Sequence, residues 1–157
     1  MRSIPRNWSR SWPYIVHEFD VRPARRGRLF CKVLIFKNGR DLRRFWREGL
    51  GHGTSGALGV VDRLVWTRQK INRDGTEGRI RIIQDRRYFC VMGLLVGHLT
   101  MNVLTHECAH AGFAYAKRVR RSPWAEIGDL DEELVCYPAG LIAAAIVRRL
   151  GRLGLVP

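Results

Sequence analysis

Apart from one short helical stretch at 41–50, the chain changes its hydrophobic period near residue 97. Before that point, apolar residues come in runs of strand length, broken by Gly, Pro and Asn-Gly turn signals. After it they come in two runs of helix length. A chain divided in this way is restricted to an α+β fold: a small antiparallel sheet from the first part, packed against a central helix, with a last helix closing over one end. Its 157 residues suit a single domain, 1–157. Hydrophobic residues make up 46%, enough for a core and too many for a disordered basic tail.

The predicted elements follow from local chemistry. Residues 1–13 are rich in Arg, Ser, Trp and Pro and read as an irregular basic arm, and residues 14–96 as mainly strands with one short helix. Tyr14 to Asp20 and Leu29 to Phe36 are strand-like, with a basic turn at Arg22 to Arg28 between them. Asn38-Gly39 signals a turn, and Asp41 is a plausible N-cap for a short helix through Leu50. Val60 to Thr67 reads as a strand, Asn72 to Gly78 as a turn, and Arg79 to Gln84 as that strand's hairpin partner. Tyr88 to Val96 is one more apolar run. Residues 99–150 hold the helices: Thr100 caps one running to Lys117, and Asp129 or Asp131 caps another running towards Arg149.

Residues 49–59, GLGHGTSGALG, contain Gly51-x-Gly53-x-x-Gly56. That spacing is a dinucleotide fingerprint only between a strand and a helix. Here a helix precedes and a strand follows, so a flexible connection or flap is the better reading, and His52 is an ordinary loop histidine. Cys31, Cys90, Cys108 and Cys136 form no CxxC pair and read as free thiols of a cytoplasmic protein. The first residues lack the apolar run of a signal peptide. The longest apolar stretch, Leu134 to Val147, contains Pro138 and Gly140 and falls short of the roughly 20 residues of a membrane span. A core helix is expected there, with no membrane partner.

Chemistry concentrates in His106-Glu107-Cys108-Ala109-His110, an H-E-x-x-H sequence inside the first predicted helix. Residues i and i+4 share a helix face, so two imidazoles can reach one Zn2+ ion. Glu107 points beside the metal, where a general base for water belongs. From 5 His and 7 Glu, random order gives roughly 0.007 such matches per chain. The plain alternative is a pair of packed or hydrogen-bonded histidines. A catalytic zinc needs a third protein ligand. The extension HExxHxxGxxH fails at Phe113 and Ala116, which leaves Asp129, Asp131, Glu132, Glu133, a thiol or His98.

HExxH followed by a glutamate on a second helix resembles the gluzincin branch of the zincin metallopeptidases. More narrowly, HECAHAGFAYAKR followed by EELVCYPAGLI is similar to small metallopeptidases of bacteriophages and prophages, over roughly residues 95–150. Their second helix reads E-x-x-x-Y-x-x-G, which falls on Glu133, Tyr137 and Gly140. The resemblance implies a minimal zincin-like fold and a zinc-dependent peptidase acting on a protein or peptide in the host cytoplasm. It implies His106, His110 and Glu133 as ligands and Glu107 as base. Tyr137, one turn after Glu133, is a candidate oxyanion donor or a core tyrosine. Pro138 is a departure, expected to kink the helix just after Glu133.

The net charge is +14, from 28 Lys+Arg and 14 Asp+Glu. Of these, 21 basic and 8 acidic residues precede residue 88, and 24 of the 28 cations are Arg. Arg forks match phosphate, so the N-terminal part is a candidate nucleic-acid surface, although a solvated basic face explains the same count. Two alternatives to the peptidase therefore stand: a nucleic-acid-associated protease or binding protein, and a non-catalytic zinc-binding protein.

Overall fold

A computed structural model describes residues 12–24, 27–50, 58–120 and 131–155, with the backbone alone at 66–69 and 78–82. The fold is α+β. Six strands form two sheets. In the first, β1 (Ile15–Val21), β2 (Phe30–Phe36), β6 (Tyr88–Leu95) and β3 (Gly59–Arg63) lie in the order β1-β2-β6-β3. In the second, β4 (Val65–Ile71) and β5 (Glu77–Gln84) form a hairpin.

The four-stranded sheet is mixed, which corrects the expectation of an antiparallel one. β1 and β3 are antiparallel to their neighbours, but β2 and β6 run parallel, with Cys31 opposite Cys90 and Ile35 opposite Leu94. Parallel neighbours need a long crossover. Here the crossover carries a helix, β3 and the whole hairpin. The two parallel strands are also those buried on both faces. Cys31 to Phe36 and Tyr88 to Leu95 are unbroken buried runs, as strands covered on both sides should be.

Each face of the sheet carries its own apolar cluster. On one face Leu34, Phe36, Val91 and Leu95 pack against Leu42, Phe45 and Trp46. These three belong to α1 (Gly39–Phe45) and the wider π turn Trp46–Leu50 that continues it. Its cap is Asn38 rather than Asp41: the Asn38 side chain accepts from the Asp41 amide at 3.0 Å, and the Asp41 carboxylate accepts from the Asn38 amide group at 2.8 Å. On the other face Val33, Ile35, Cys90, Met92 and Leu94 pack against two helices, α2 (Met101–Val119) and α3 (Glu132–Arg152).

The predicted strand Val60 to Thr67 is divided at Leu64 between β3 and β4. A side chain buried at 2% exposure explains the break, since it anchors the chain where it leaves one sheet for the other. The hairpin turn closes through the Asn72 amide on the Thr76 carbonyl at 2.9 Å, with Gly75 at φ +81°, a conformation that favours glycine.

Thr100 caps α2, its hydroxyl accepting from the Val103 amide at 3.3 Å. Asp131 caps α3, accepting from the Glu133 amide at 3.1 Å. α3 runs unbroken through Pro138, which is buried with Val135, Ile142, Ile146 and Leu150 along one stripe. The two helices meet closely at Gly112: a Cβ there would lie 2.5 Å from the Val135 carbonyl oxygen and 3.0 Å from Ala139 Cβ. Among the described residues, α3 is the one helix long and apolar enough to cross a membrane by length and composition alone. Its buried stripe packs into the cluster under the sheet.

Candidate functional site

The site starts from the capped N-terminal half of α2. Leu104, Cys108 and Ala111 face the core and fix the rotation of the helix about its axis. His106 and His110 then fall on its exposed side. Their rings stand nearly perpendicular, with centroids 4.6 Å apart and Nε2 atoms 3.1 Å apart. Two nitrogens bound at 2.0–2.1 Å to one tetrahedral ion would be separated by about 3.3 Å. The pair therefore has the bite of a two-imidazole metal clamp. It also suits a direct imidazole–imidazole hydrogen bond. Partial burial and the neighbouring His106 charge both push the His110 pKa down, which favours the neutral imidazole that a metal requires.

Glu107 points from α2 towards the start of β3, at 5% exposure. A Cβ at Gly59 would lie 2.7 Å from Glu107 Cγ and 2.9 Å from its Oε1, so the carboxylate rests directly on the strand backbone. Burial raises the Glu107 pKa, and the charge of His106 opposes the shift. The direction is that of a carboxylate made more basic by its surroundings.

β3 is an edge strand of the sheet. Two hollows lie between it and α2. One is lined by Leu58, Gly59, Asn102, Val103, His106 and Glu107. Val61, Asp62, Arg63, His110, Phe113 and Lys117 line the other. The histidine pair and the glutamate thus border a groove along an open strand edge.

Gly59 is the site residue that sequence reasoning missed, having been absorbed into the glycine-rich loop. A glycine that opens a β-branched run is itself a signal of close approach by another group.

Glu133 and Tyr137 are not gathered with the pair. Among the described residues, no group of three His, Cys, Asp or Glu side chains is placed to hold a metal ion. Glu133 is exposed on the first turn of α3, beside an equally exposed Glu132. It is two residues from Val135, which touches Gly112, itself two residues from His110. Tyr137 is 64% exposed and is not a core tyrosine. Asp131 is engaged as the α3 cap and lies 3.8 Å from Arg120. Asp129 and His52 lie outside the described residues. His98 ends an exposed single turn, Val96–His98. Cys108 is a buried thiol whose pKa burial pushes up to about 12, and Cys31 and Cys90 are buried nearby. Thiols so held are packing groups, not ligands. Cys136 is exposed.

Comparison with protein-family models, with curated proteins and with solved structures finds no match in any of the three.

Proposed function

We propose that the chain is a zinc-dependent metallopeptidase. The observation that carries the reading is the pairing of His106 and His110, 3.1 Å apart at Nε2, with a buried Glu107 set between them and an open strand edge. His106 and His110 are two ligands of the proposed site. Glu133 is the proposed third, brought in from the first turn of α3 when metal is present.

The chemistry zinc supplies when bound is Lewis acidity towards water and towards a carbonyl oxygen. Glu107 takes a proton from the attacking water and passes it to the leaving amine, a role suited to a carboxylate whose pKa is raised by burial. Among the described residues β3 is an outer strand of the sheet, so an extended peptide can add as a further strand beside Glu107. Tyr137, exposed on α3, is the proposed donor to the charge developing on the substrate carbonyl oxygen.

The test pairs metal analysis with hydrolysis of a mixed peptide library. Purified protein is expected to take up about one equivalent of zinc, the stoichiometry of a single HExxH site. Glu107→Gln is expected to keep the metal and lose hydrolysis by a factor of at least about 100. No uptake on titration, or a Glu107→Gln variant as active as the parent, would refute the reading. Glu133→Ala separates the third ligand from the rest: unchanged zinc affinity removes Glu133 alone.

A further inference from the structure

The β4–β5 hairpin stands outside the four-stranded sheet, and both of its outer edges are unpaired within the two sheets. Residues 65–84 carry five cations, Arg68, Lys70, Arg73, Arg79 and Arg81, against two acids, Asp74 and Glu77. The backbone register sorts them. Arg68 lies directly opposite Arg81, and Trp66 opposite Ile83, while Thr67 pairs with Ile82 and Gln69 with Ile80. Strand alternation then puts Arg68, Lys70, Arg79 and Arg81 on one face together with Trp66 and Ile83, with Lys70 and Arg79 at the register shift that follows Gln69. Thr67, Gln69, Ile80 and Ile82 take the other. Glu77 is opposite Ile71 and belongs to that second face. Asp74 is held within the turn by the Thr76 hydroxyl and amide at 2.6 and 3.0 Å.

A sheet face that is merely solvated gains by mixing signs, because like charges directly opposite each other destabilise a strand pair. Here every cation of the two strands shares one face, no strand acid shares it, and two arginines are paired across it. Arg73 adds an exposed cation at the tip and Arg86 another just past the base. The base is fastened to α2 by Arg118, which donates to the Gln84 side chain and to the Asp85 carbonyl at 2.7 Å. The arrangement is an anchored two-stranded ribbon with one cationic face, of a width that enters a nucleic-acid groove.

We infer that the β4–β5 ribbon is a phosphate-reading element that binds duplex nucleic acid through Arg68, Lys70, Arg79 and Arg81. The fork of each Arg suits a phosphate oxygen pair. The inference is independent of the peptidase reading.

The experiment measures binding of a labelled DNA duplex of about two helical turns to the full chain by fluorescence anisotropy, between about 0.05 and 0.2 M salt. Three proteins are compared: the parent, Arg68→Gln/Arg81→Gln, and a charge-matched control, Arg40→Gln/Arg43→Gln, on the exposed side of α1. Two lost phosphate contacts should reduce the slope of log K against log salt by about 1.8, which is roughly 60-fold in affinity at 0.1 M if the curves meet at 1 M. The control should keep the parent slope. The ribbon variant should also melt no lower than the parent, since a repulsive pair has been removed. Equal losses in both variants would assign binding to diffuse charge and overturn the inference. So would an unchanged ribbon variant, or one that melts several degrees lower. A matching RNA duplex distinguishes the two nucleic acids. Binding to phosphatidylserine vesicles with none to either duplex would assign the face to a membrane and overturn it too.

Discussion

Two glycines in neighbouring helices should respond to the same substitution with opposite signs. Gly112 of α2 and Gly140 of α3 are both helical. Ala replaces Gly in a helix interior with a gain of about 1 kcal/mol from backbone entropy. At Gly140 a new Cβ meets nothing within 4 Å, so that gain should appear undiminished. At Gly112 the new Cβ would sit 2.5 Å from the Val135 carbonyl oxygen, and ordinary contact begins at 3.4 Å, so the helices must part locally by about 0.9 Å. The obstacle is backbone of the partner helix and cannot rotate away. Overpacking of this kind costs about 1–3 kcal/mol, and a backbone obstacle belongs in the upper half of that range. Gly112→Ala should therefore destabilise by about 1–2 kcal/mol net, and Gly140→Ala should stabilise by up to about 1 kcal/mol. In a chain of this size each kcal/mol moves the melting temperature by about 2–4 °C. Urea unfolding followed by circular dichroism, at fixed metal content, measures both, and an unchanged m-value shows that only stability has moved. A Gly112→Ala variant as stable as the parent would refute the close approach of α2 and α3, and with it the path that brings Glu133 towards the histidines.

Gly59→Ala should displace Glu107, because the new Cβ would fall 2.7 Å from its Cγ; hydrolysis is expected to drop at least about tenfold with zinc content retained, and full activity would show that the carboxylate does not need its seat on β3. Asp20 holds Lys32 at 2.7 Å, Arg87 at 2.8 Å and the Tyr88 hydroxyl at 3.1 Å, with Lys32 only 3% exposed. Asp20 is itself 21% exposed and Glu18 stays 3.9 Å from Lys32, so Asp20→Ala should cost about 1–3 kcal/mol in urea unfolding, and adding Lys32→Met should recover part of it; no loss in the single variant would count against the network. Hydrogen bonds from Thr76 hold the Asp74 pKa below the usual carboxylate range. The turn therefore keeps this contribution above the unfolded Asp pKa and loses it as pH falls through the lower folded value. An NMR titration of the Thr76 amide should show its midpoint below that of a free Asp; a midpoint at or above it would remove the proposed tie.

What the sequence revealed of this molecule depended on how far apart the interacting residues lie. Thr100 was legible as a cap, and Asp131 as one of two candidates with Asp129, because a cap reaches only two or three residues along the chain. The histidine pair was legible for the same reason: an i,i+4 relation on a capped helix is local geometry. The cap of α1 shows the limit of that logic, since Asn38, which reads as a turn residue, and Asp41, which reads as the cap, bond reciprocally, and it is Asn38 that caps. The parallel pairing of β2 with β6 was not legible. Their mainly apolar runs, interrupted in β2 by Lys32, read as strands, but the partner of each strand is chosen by a crossover of some fifty residues.

The same distinction separates the parts of the candidate site. His106, Glu107 and His110 are one helical turn, oriented by the core residues Leu104, Cys108 and Ala111 on the opposite side. Glu107 also needs the absence of a side chain at Gly59, 48 positions earlier, a long-range requirement whose only local trace is a glycine at the start of a strand. A third ligand depends on how α3 crosses α2, and that crossing is set by the contact of Gly112 with Val135 and Ala139. The contact fixes the axis of α3 but leaves its outward face, with Glu133 and Tyr137, exposed to solvent. A helix positioned by its small-residue side can thus present its acidic first turn without fixing a rotamer there. On the proposed reading, α2 supplies the two imidazoles, and a bound metal would have to draw the carboxylate in to complete a three-ligand site.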